Sequence, residues 1–288
     1  MNRILITGAN GQLGSELKVL SEEMTGFEYC FTDYDTLDIT DQVAMRTFMQ
    51  DRRPDFVVNC AAYTAVDKAE EEPESCFRLN GKAPGIVAAA CQEYGAKLIH
   101  ISTDYVFDGT SCIPYNEDQP VKPLGVYGAS KREGEVQVFA HSDAIVIRTS
   151  WLYSSFGSNF VKTMIRLGRE RNQVNVVFDQ TGTPTYAADL AAVILKIISR
   201  STADPDCWKP GIYHYSNEGV CSWYDFALAV HRLAGIQCHV SPVESADFQT
   251  KAIRPCFSVL NKAKIKKTFY ISIPHWEESL EKCIRLLT

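Results

Sequence analysis

The sequence lacks any pair of cysteines in a CxxC spacing and any cysteine and histidine set at the spacing of a metal site. Its ten cysteines lie singly along 288 residues, several of them in apolar stretches such as those around Cys60 and Cys91. We therefore expect the reduced, buried thiols of a cytoplasmic protein rather than a disulfide framework. No metal site is predicted.

Long apolar runs and an excess of positive charge are also missing. No apolar stretch is long enough to cross a bilayer, and residues 4–6 form an apolar run without the layout of a signal peptide. The formal net charge is −6, which gives no bulk attraction for nucleic acid or for an acidic membrane. The negative net charge does not exclude an anionic small molecule as a ligand, because a local basic site can still bind one.

The sequence does contain a regular alternation of apolar strands and amphipathic helices. Strands are predicted at residues 3–7, 27–32, 55–59, 98–102 and 144–149, with helical patterns between them. Continuously apolar strands that alternate with helices indicate a parallel sheet covered on both faces. The predicted fold class is α/β, a doubly wound parallel sheet of Rossmann type with a smaller mixed C-terminal lobe that binds the substrate.

This alternation changes after Trp151, which suggests two domains. Residues 1–150 are predicted to form the dinucleotide-binding domain, and residues 151–288 mainly the substrate-binding lobe. An apolar run near residue 174 and a helix that ends near residue 198 are expected to return to the first domain, so that roughly 174–200 belongs there. Residues 211–215 are assigned to the smaller lobe.

A glycine-rich turn follows the first strand and opens the first helix. Gly8, Gly11 and Gly14 have the spacing GxxGxxG rather than GxGxxG. Glycine lets the backbone approach a pyrophosphate, and a helix N-terminus supplies N–H donors and the positive end of a dipole. The position of this turn predicts a dinucleotide-binding site, whereas a strand–helix turn without a ligand is the simpler alternative.

Two aspartates are candidates for the adenosine ribose. Asp33 ends the second strand, and Asp38 is its rival a few residues later. A carboxylate accepts hydrogen bonds from the ribose hydroxyls and repels the 2′-phosphate of NADPH, so either residue would favour NADH. Ala61 and Ala62 follow the third strand, where small residues let a cofactor approach closely.

Tyr127 and Lys131 lie four residues apart, a spacing that puts both on one face of a helix. An ammonium in that position is expected to lower the pKa of the phenol toward neutrality, as a proton-transfer group requires. Ser102 or Thr103, at the end of the fourth strand, can hold the substrate oxygen against the phenol. Because a strand alternates faces, only one of these two hydroxyls can point to the site.

Six segments in a fixed order carry a family resemblance: TGANGQLG, NCAAYTAVDKAE, STDYVFDG, VYGASK, RTSWLY and RPCFSVLN. Together they resemble the extended short-chain dehydrogenase/reductase superfamily, and within it the reductases of nucleotide sugars. The resemblance covers nearly the whole chain. It implies reduction of the 4-keto group of a dTDP-4-dehydro-6-deoxy-hexose by NADPH or NADH, with a dTDP-sugar as the partner molecule.

The resemblance also implies roles for individual residues. Catalysis falls to Tyr127, Lys131 and Thr103, with Asp104 also at the substrate. Trp151 is implied to contact the sugar, and Arg254 to grip the diphosphate. With Gly8 and Gly14, which the glycine turn itself indicates, the predicted cofactor-binding residues are Gly8, Gly11, Gln12, Leu13, Gly14, Asp33, Asp38, Ile39, Ala62, Tyr63, Thr64, Tyr127 and Lys131.

Some members of the resembled family hold magnesium at a dimer interface through carboxylates. Glu16 matches one such position, but Ala188 stands where a second carboxylate is expected. A magnesium-bridged dimer is therefore not predicted, and a homodimer of another kind stays open.

Two alternative functions also stay open. The first is another nucleotide-sugar reductase or a 4-epimerase of the same fold. The second is a non-catalytic regulatory subunit that keeps the fold and binds an enzyme partner. The presence of Tyr127, Lys131 and Thr103 together argues against the second, because a pure binding module needs none of them.

Overall fold

The structure is a computed structural model that describes residues 1–248 and 250–288. Its strands and helices alternate through the first half of the chain. The strands are β1 Asn2–Thr7, β2 Phe27–Thr32, β3 Phe56–Asn59, β4 Lys97–Thr103, β5 Ile145–Thr149, β6 Leu152–Tyr153, β7 Gln173–Val177, β8 Thr181–Gly182, β9 Thr185–Tyr186, β10 Gly211–Tyr215, β11 Cys221–Ser222 and β12 His239–Val243. The helices are α1 Gln12–Ser21, α2 Gln42–Arg52, α3 Val66–Ala69, α4 Pro73–Phe77, α5 Ala83–Tyr94, α6 Val126–His141, α7 Phe160–Glu170, α8 Ala187–Ala203, α9 Trp223–Leu233, α10 Ala263–Phe269 and α11 Trp276–Arg285.

A six-stranded sheet organises the molecule, with the order β10-β5-β4-β3-β1-β2 and parallel pairing throughout. The strand order reverses between β1 and β3, because β2 lies on one side of β1 and the later strands on the other. Ligands of open parallel sheets bind outside the carboxyl ends of the strands at such a switch point. The sheet confirms the predicted fold class.

Apolar residues on both faces of each strand explain why the sheet is buried. Ile4 and Ile6 of β1 pack with α1 and α8 on one face. Leu5, between them, packs with α2 and α5 on the other face. All three side chains are fully buried. Alternating directions along a strand thus bury a continuous apolar run against the helices on both faces of the sheet.

A second apolar core forms beside the sheet from α7, β7, α9, β12 and α11. Phe226 of α9 lies at its centre and contacts Tyr153, Phe160 and Trp276 through aromatic rings. Helix α9 begins with a capping box, in which Ser222 and Asp225 satisfy each other's backbone N–H groups. This core holds α7 next to the carboxyl edge of the main sheet.

The later strands differ from their predicted places. Strand β7 pairs with β12 in a separate two-stranded sheet and does not join the main sheet. The strand that returns is β10, which residues 211–215 form at the edge beside β5. Helix α8 packs against the main sheet as expected. The division of the chain near residue 150 stays a prediction.

Helices that could span a bilayer, by their length and apolar character, do not occur among the described residues.

Candidate active site

A cavity of about 640 Å³ opens at the carboxyl edge of the main sheet, beside the switch point. Its walls come from the segments that follow β1 to β5 and from the first turns of α6. The predicted residues that line it are Gly8, Gly11, Gln12, Leu13, Gly14, Asp33, Asp38, Ile39, Ala62, Thr64, Thr103, Asp104, Tyr127, Lys131 and Trp151. The fold therefore brings the glycine turn and the tyrosine–lysine pair to one cavity.

The glycine turn has no room for a side chain at its first glycine. Gly8 follows β1 with φ of +66°, and a Cβ there would lie 2.6 Å from the backbone nitrogen of Ala61. Gly11 is the N-cap of α1 and, as a glycine, offers no side chain to the first N–H groups of the helix. Open N–H groups at a helix N-terminus bind anions. This cradle fits the pyrophosphate of a dinucleotide.

Gly14→Ala tests how closely the turn is packed. A Cβ at Gly14 would lie 2.5 Å from both the Cα of Ala9 and the carbonyl oxygen of Gly8. We expect a loss of about 1–3 kcal/mol in the free energy of unfolding and weaker NADPH binding, because the turn must open. Thermal unfolding and fluorescence titration with NADPH measure the two effects.

Gly11→Ala is the matched comparison for this variant. Its Cβ would meet only the carbonyl oxygen of Gly8, at 3.2 Å. We expect smaller effects on both measurements. Equal losses in the two variants would contradict the packing explanation.

Both candidate aspartates line the cavity, but they bind different parts of the backbone. Asp33 accepts the N–H of Asn10 and the N–H of Tyr34, each at 2.8 Å, and so ties the end of β2 to the glycine turn. Asp38 accepts the N–H and the hydroxyl of Thr40 within its own loop, also at 2.8 Å. Asp33 is therefore the carboxylate fixed to the pyrophosphate cradle.

Tyr63 departs from the predicted cofactor contacts. Its hydroxyl donates to Glu72 at 2.9 Å, and its backbone N–H donates to the side chain of Asn80 at 2.8 Å. The side chain therefore points away from the cavity, while its neighbours Ala62 and Thr64 line the wall. Residue order alone did not reveal this, because the partner carboxylate comes from the segment that precedes α4.

Lys131 lies in the wall of the cavity with only 2% of its surface exposed. Its ammonium donates to the carbonyl oxygen of Ile101 at 2.6 Å. Burial lowers the pKa of this ammonium to about 8, against the opposing charge of Glu135 on the next helical turn. Lys131 is thus a cation at neutral pH, held against the end of β4.

Tyr127 stands beside Thr103, and its ring packs edge-on against Tyr105 with the ring centroids 5.4 Å apart. Burial raises the pKa of the Tyr127 phenol above its ordinary value, the Thr103 hydroxyl opposes this, and the nearby Asp104 adds to it. The prediction that Lys131 lowers the pKa of the Tyr127 phenol was wrong. The physical reason is that burial of the phenol dominates, while the Lys131 ammonium donates to the Ile101 carbonyl and not to the phenol.

The structure decides between the two hydroxyls at the end of β4. Ser102 donates to Glu135 at 2.7 Å, away from the phenol. Thr103 donates to Asp104 at 3.0 Å and also accepts the N–H of Tyr105 at 3.2 Å. Thr103 is therefore the hydroxyl that accompanies Tyr127, as the alternation of strand faces requires.

Trp151 lies at the far side of the cavity, just after β5. Its backbone has φ of +48°, a left-handed conformation that is uncommon for a large side chain. The indole stacks on Trp223 with ring centroids 3.7 Å apart, and a Cβ at Gly182 would lie 2.6 Å from it. The cavity and the second core thus share a flat aromatic surface.

Arg254 does not line this cavity. It forms an ion pair with Asp67, with one nitrogen 2.6 Å from a carboxylate oxygen, and it lines a second cavity of about 860 Å³. Tyr105 lines both cavities, so they adjoin each other. Phe160 and Trp223 lie in the second cavity with Arg254. The predicted diphosphate contact is therefore placed beside the cofactor cavity rather than within it.

Sequence reasoning missed the loop that closes over the glycine turn. Gly157 and Ser158 line the cofactor cavity from the segment between β6 and α7. Asn159 caps α7 and donates to the side-chain oxygen of Gln12 at 2.9 Å. The cap was detectable from the sequence, but its contact with Gln12 spans 147 residues and depends on the tertiary fold.

Glu16 and Ala188 bear on the magnesium question. Glu16 is buried and accepts the hydroxyl of Ser154 at 2.6 Å, and burial raises its pKa. Ala188, in α8, packs at the edge of the second core. Over residues 1–248 and 250–288, no group of three or more histidine, cysteine, aspartate or glutamate side chains could hold a metal ion. The absence of a magnesium bridge stays a prediction.

Comparison with known proteins places this geometry in one family. The family described as the RmlD substrate binding domain matches residues 1–288. A spore coat polysaccharide biosynthesis protein, SpsK of Bacillus subtilis (strain 168), is 40% identical over 286 residues, which cover 99% of this chain and 98% of the relative.

Two solved structures are similar over their whole length. A dTDP-4-dehydrorhamnose reductase from Clostridium acetobutylicum is 43% identical with a TM-score of 0.93, and 99% of each chain is covered. A dTDP-4-dehydrorhamnose reductase from Bacillus anthracis, in complex with NADP, is 42% identical with a TM-score of 0.92 and the same coverage.

Proposed function

The chain belongs to the family of the RmlD substrate binding domain, and on that premise we propose that it is an NAD(P)H-dependent dTDP-4-dehydrorhamnose reductase. The reaction reduces the 4-keto group of dTDP-4-dehydrorhamnose to give dTDP-L-rhamnose. The observation that carries the proposal is one cavity that unites a pyrophosphate cradle with Tyr127, Lys131 and Thr103. A binding module would need the cradle alone.

We assign the proton transfer to Tyr127. Its phenol gives a proton to O4 of the sugar while C4 takes up a hydride, which is what a reduced nicotinamide supplies when bound. Thr103 donates to the same oxygen and holds it against the phenol. Lys131 binds the nicotinamide ribose, and its positive charge favours the phenolate that forms when the proton leaves.

The sugar and its nucleotide are assigned to the junction of the two cavities. The stacked pair of Trp151 and Trp223 offers an apolar face to the C–H groups of a sugar. Arg254 can bind a diphosphate through paired hydrogen bonds once it leaves Asp67. The second cavity, with Phe160 on its wall, has room for the nucleoside.

Both reduced cofactors are included in the proposal. Asp33 favours NADH by repelling a 2′-phosphate, but both of its oxygens already accept backbone N–H groups at the turn. These donors draw charge from the carboxylate and weaken the repulsion. We therefore expect turnover with NADPH as well as with NADH.

A direct assay tests the proposed function. Reduced-nicotinamide absorbance is followed with a panel of 4-keto nucleotide sugars, with NADPH and NADH in turn. We expect stoichiometric consumption of cofactor with the dTDP-linked 4-keto-6-deoxy sugar and a product that co-elutes with dTDP-L-rhamnose. Conversion without net consumption of cofactor would indicate an epimerase. No turnover, together with co-purification of a larger enzyme, would indicate a regulatory subunit.

We place the reaction in the cytoplasm. All ten cysteines are free thiols in the structure, which accords with a reducing compartment. A homodimer is compatible with this assignment. Sedimentation of the pure protein at several concentrations measures its oligomeric state.

A further inference from the structure

A buried carboxyl group lies next to the proposed catalytic hydroxyls. Asp104 follows β4 directly, and only 1% of its surface is exposed. One of its oxygens, Oδ1, accepts the hydroxyl of Thr103 at 3.0 Å. The other oxygen, Oδ2, is buried without a hydrogen-bond partner among the described residues. An ionised carboxylate in this position would leave part of its charge uncompensated.

The hydrogen bonds of Thr103 limit what its hydroxyl can do. A hydroxyl has one hydrogen to donate and two lone pairs to accept. The N–H of Tyr105 takes one lone pair at 3.2 Å. While Asp104 is ionised it can only accept, and the 3.0 Å contact then uses the single hydrogen of Thr103. Thr103 then has no hydrogen for the oxygen of a substrate.

Protonation of Asp104 reverses this chain of hydrogen bonds. The carboxyl O–H then donates to the second lone pair of Thr103, and the hydrogen of Thr103 is released. That hydrogen can turn to O4 of the sugar, beside the phenol of Tyr127. With Asp104 ionised, the free lone pair of Thr103 instead attracts the O–H of Tyr127 and draws it away from the substrate.

We propose that Asp104 is a positioning residue whose protonated form points the Thr103 hydroxyl and the Tyr127 phenol at the reacting oxygen. This inference rests on the proposed function, because it concerns the direction of hydrogen bonds during carbonyl reduction. No bond to Asp104 forms or breaks in the reaction. The proton that reaches O4 comes from Tyr127 and is replaced from solvent, while Asp104 keeps its own.

The surroundings of Asp104 raise the share of the protonated form above that of an ordinary aspartate. Burial raises the pKa of its carboxyl to about 6, and the Ser258 and Thr103 hydroxyls and two backbone N–H groups oppose the rise. The ionisable groups that face it are the phenols of Tyr105 on its own segment and of Tyr127 on α6. The ion pair of Arg254 and Asp67 lies beyond Tyr105 and is nearly neutral as a unit.

The expected pH dependence follows from this order of events. The active form carries a proton on Asp104, so kcat/KM should fall as the pH rises above about 6. For a single group of that pKa, the protonated fraction falls about 15-fold between pH 6 and pH 7.5. This window lies below the pKa of Lys131, about 8, so that Lys131 stays charged.

Asp104→Asn tests the proposal, because a carboxamide offers an N–H to Thr103 that does not titrate. We expect the fall in kcat/KM to shrink from about 15-fold to less than about 3-fold between pH 6 and pH 7.5. At pH 7.5 the variant should match or exceed the wild-type protein. Asp104→Ala offers Thr103 neither a donor nor an acceptor, so it should also lose the fall in kcat/KM between pH 6 and pH 7.5. A lower kcat/KM than in Asp104→Asn would show that the carboxamide N–H also orients the Thr103 hydroxyl.

Asp118→Asn is the matched control, since it removes one negative charge from an exposed site in the following loop. It should keep the wild-type profile. The proposal is overturned if Asp104→Asn keeps the wild-type fall or if wild-type kcat/KM is flat over this range. If Asp104→Asn does not fold, the carboxyl of Asp104 is titrated by ¹³C NMR in the wild-type protein, and an ordinary pKa near 4 overturns it. Absence of any turnover in the wild-type assay would instead count against the proposed function.

Discussion

Tyr127→Phe is expected to lower kcat by about 10²–10⁴-fold, the usual contribution of a positioned general acid. The substitution removes only the phenolic O–H from a side chain that packs edge-on against Tyr105. Because the ring stays, the wall of the cavity and the binding of nucleotide should be nearly unchanged. Stopped-flow oxidation of NADPH gives kcat, and calorimetric titration with dTDP gives the affinity.

Tyr63→Phe is the matched control for this experiment. Its phenol lies outside the cofactor cavity and donates to Glu72, so it should leave kcat within about twofold of the wild type. A near-wild-type kcat in Tyr127→Phe would refute the assignment of the proton to Tyr127. A loss of dTDP affinity in Tyr127→Phe as large as its loss of kcat would point instead to a role in binding.

The fold was predictable where its signals are local. The apolar run of β1 and the glycines after it lie within a dozen residues, and together they place a strand, a turn and a helix at the switch point. The partner of β7 was not predictable in this way. Gln173 pairs with His239, and many short apolar segments compete for such a distant pairing. Strand β10 pairs with β5 and packs against α10, and these contacts between distant segments are likewise absent from the local pattern.

The site was predictable as a set of residues but not as a network. The order of strands along the chain predicted which residues line the cavity, because the residues that follow parallel strands all lie at one edge of the sheet. The direction of each side chain depends on partners from other segments, and Tyr63 turned to Glu72 and Arg254 to Asp67. The altered pKa of the Tyr127 phenol likewise depends on burial, which spacing along a helix does not report.

A buried ion pair that the sequence did not reveal lies beneath the site. Glu135 of α6 and Arg148 of β5 are joined by two hydrogen bonds of 2.8 Å, and both side chains are almost fully buried. The Glu135 carboxylate also accepts the Ser102 hydroxyl. Burial alone would raise the pKa of Glu135, but Arg148 and these donors hold it below its ordinary value. The pair thus fixes α6, with Tyr127 and Lys131, against the sheet.

Glu135→Ala should therefore cost about 3–5 kcal/mol in the free energy of unfolding, because it leaves the Arg148 charge buried without a partner. Chemical denaturation measures this, with Glu133→Ala on the same helix as the less buried control. The double variant Glu135→Leu with Arg148→Met removes both charges, and it should be more stable than Glu135→Ala. If the double variant is the less stable of the two, an unpaired charge is not the cause.

The acid dependence of stability gives a second measure of the same pair. Because folding lowers the pKa of Glu135, its stabilising contribution is present above the unfolded value of 4.5 and is lost as the pH falls through the folded value. The wild-type protein should therefore lose more stability than Glu135→Ala between pH 5 and pH 3. Helix α6 also carries Tyr127 and Lys131. A variant that stays folded but shifts this helix should therefore lower kcat by a larger factor than it raises KM. An unchanged acid slope in Glu135→Ala would assign the acid sensitivity of the fold to other carboxylates.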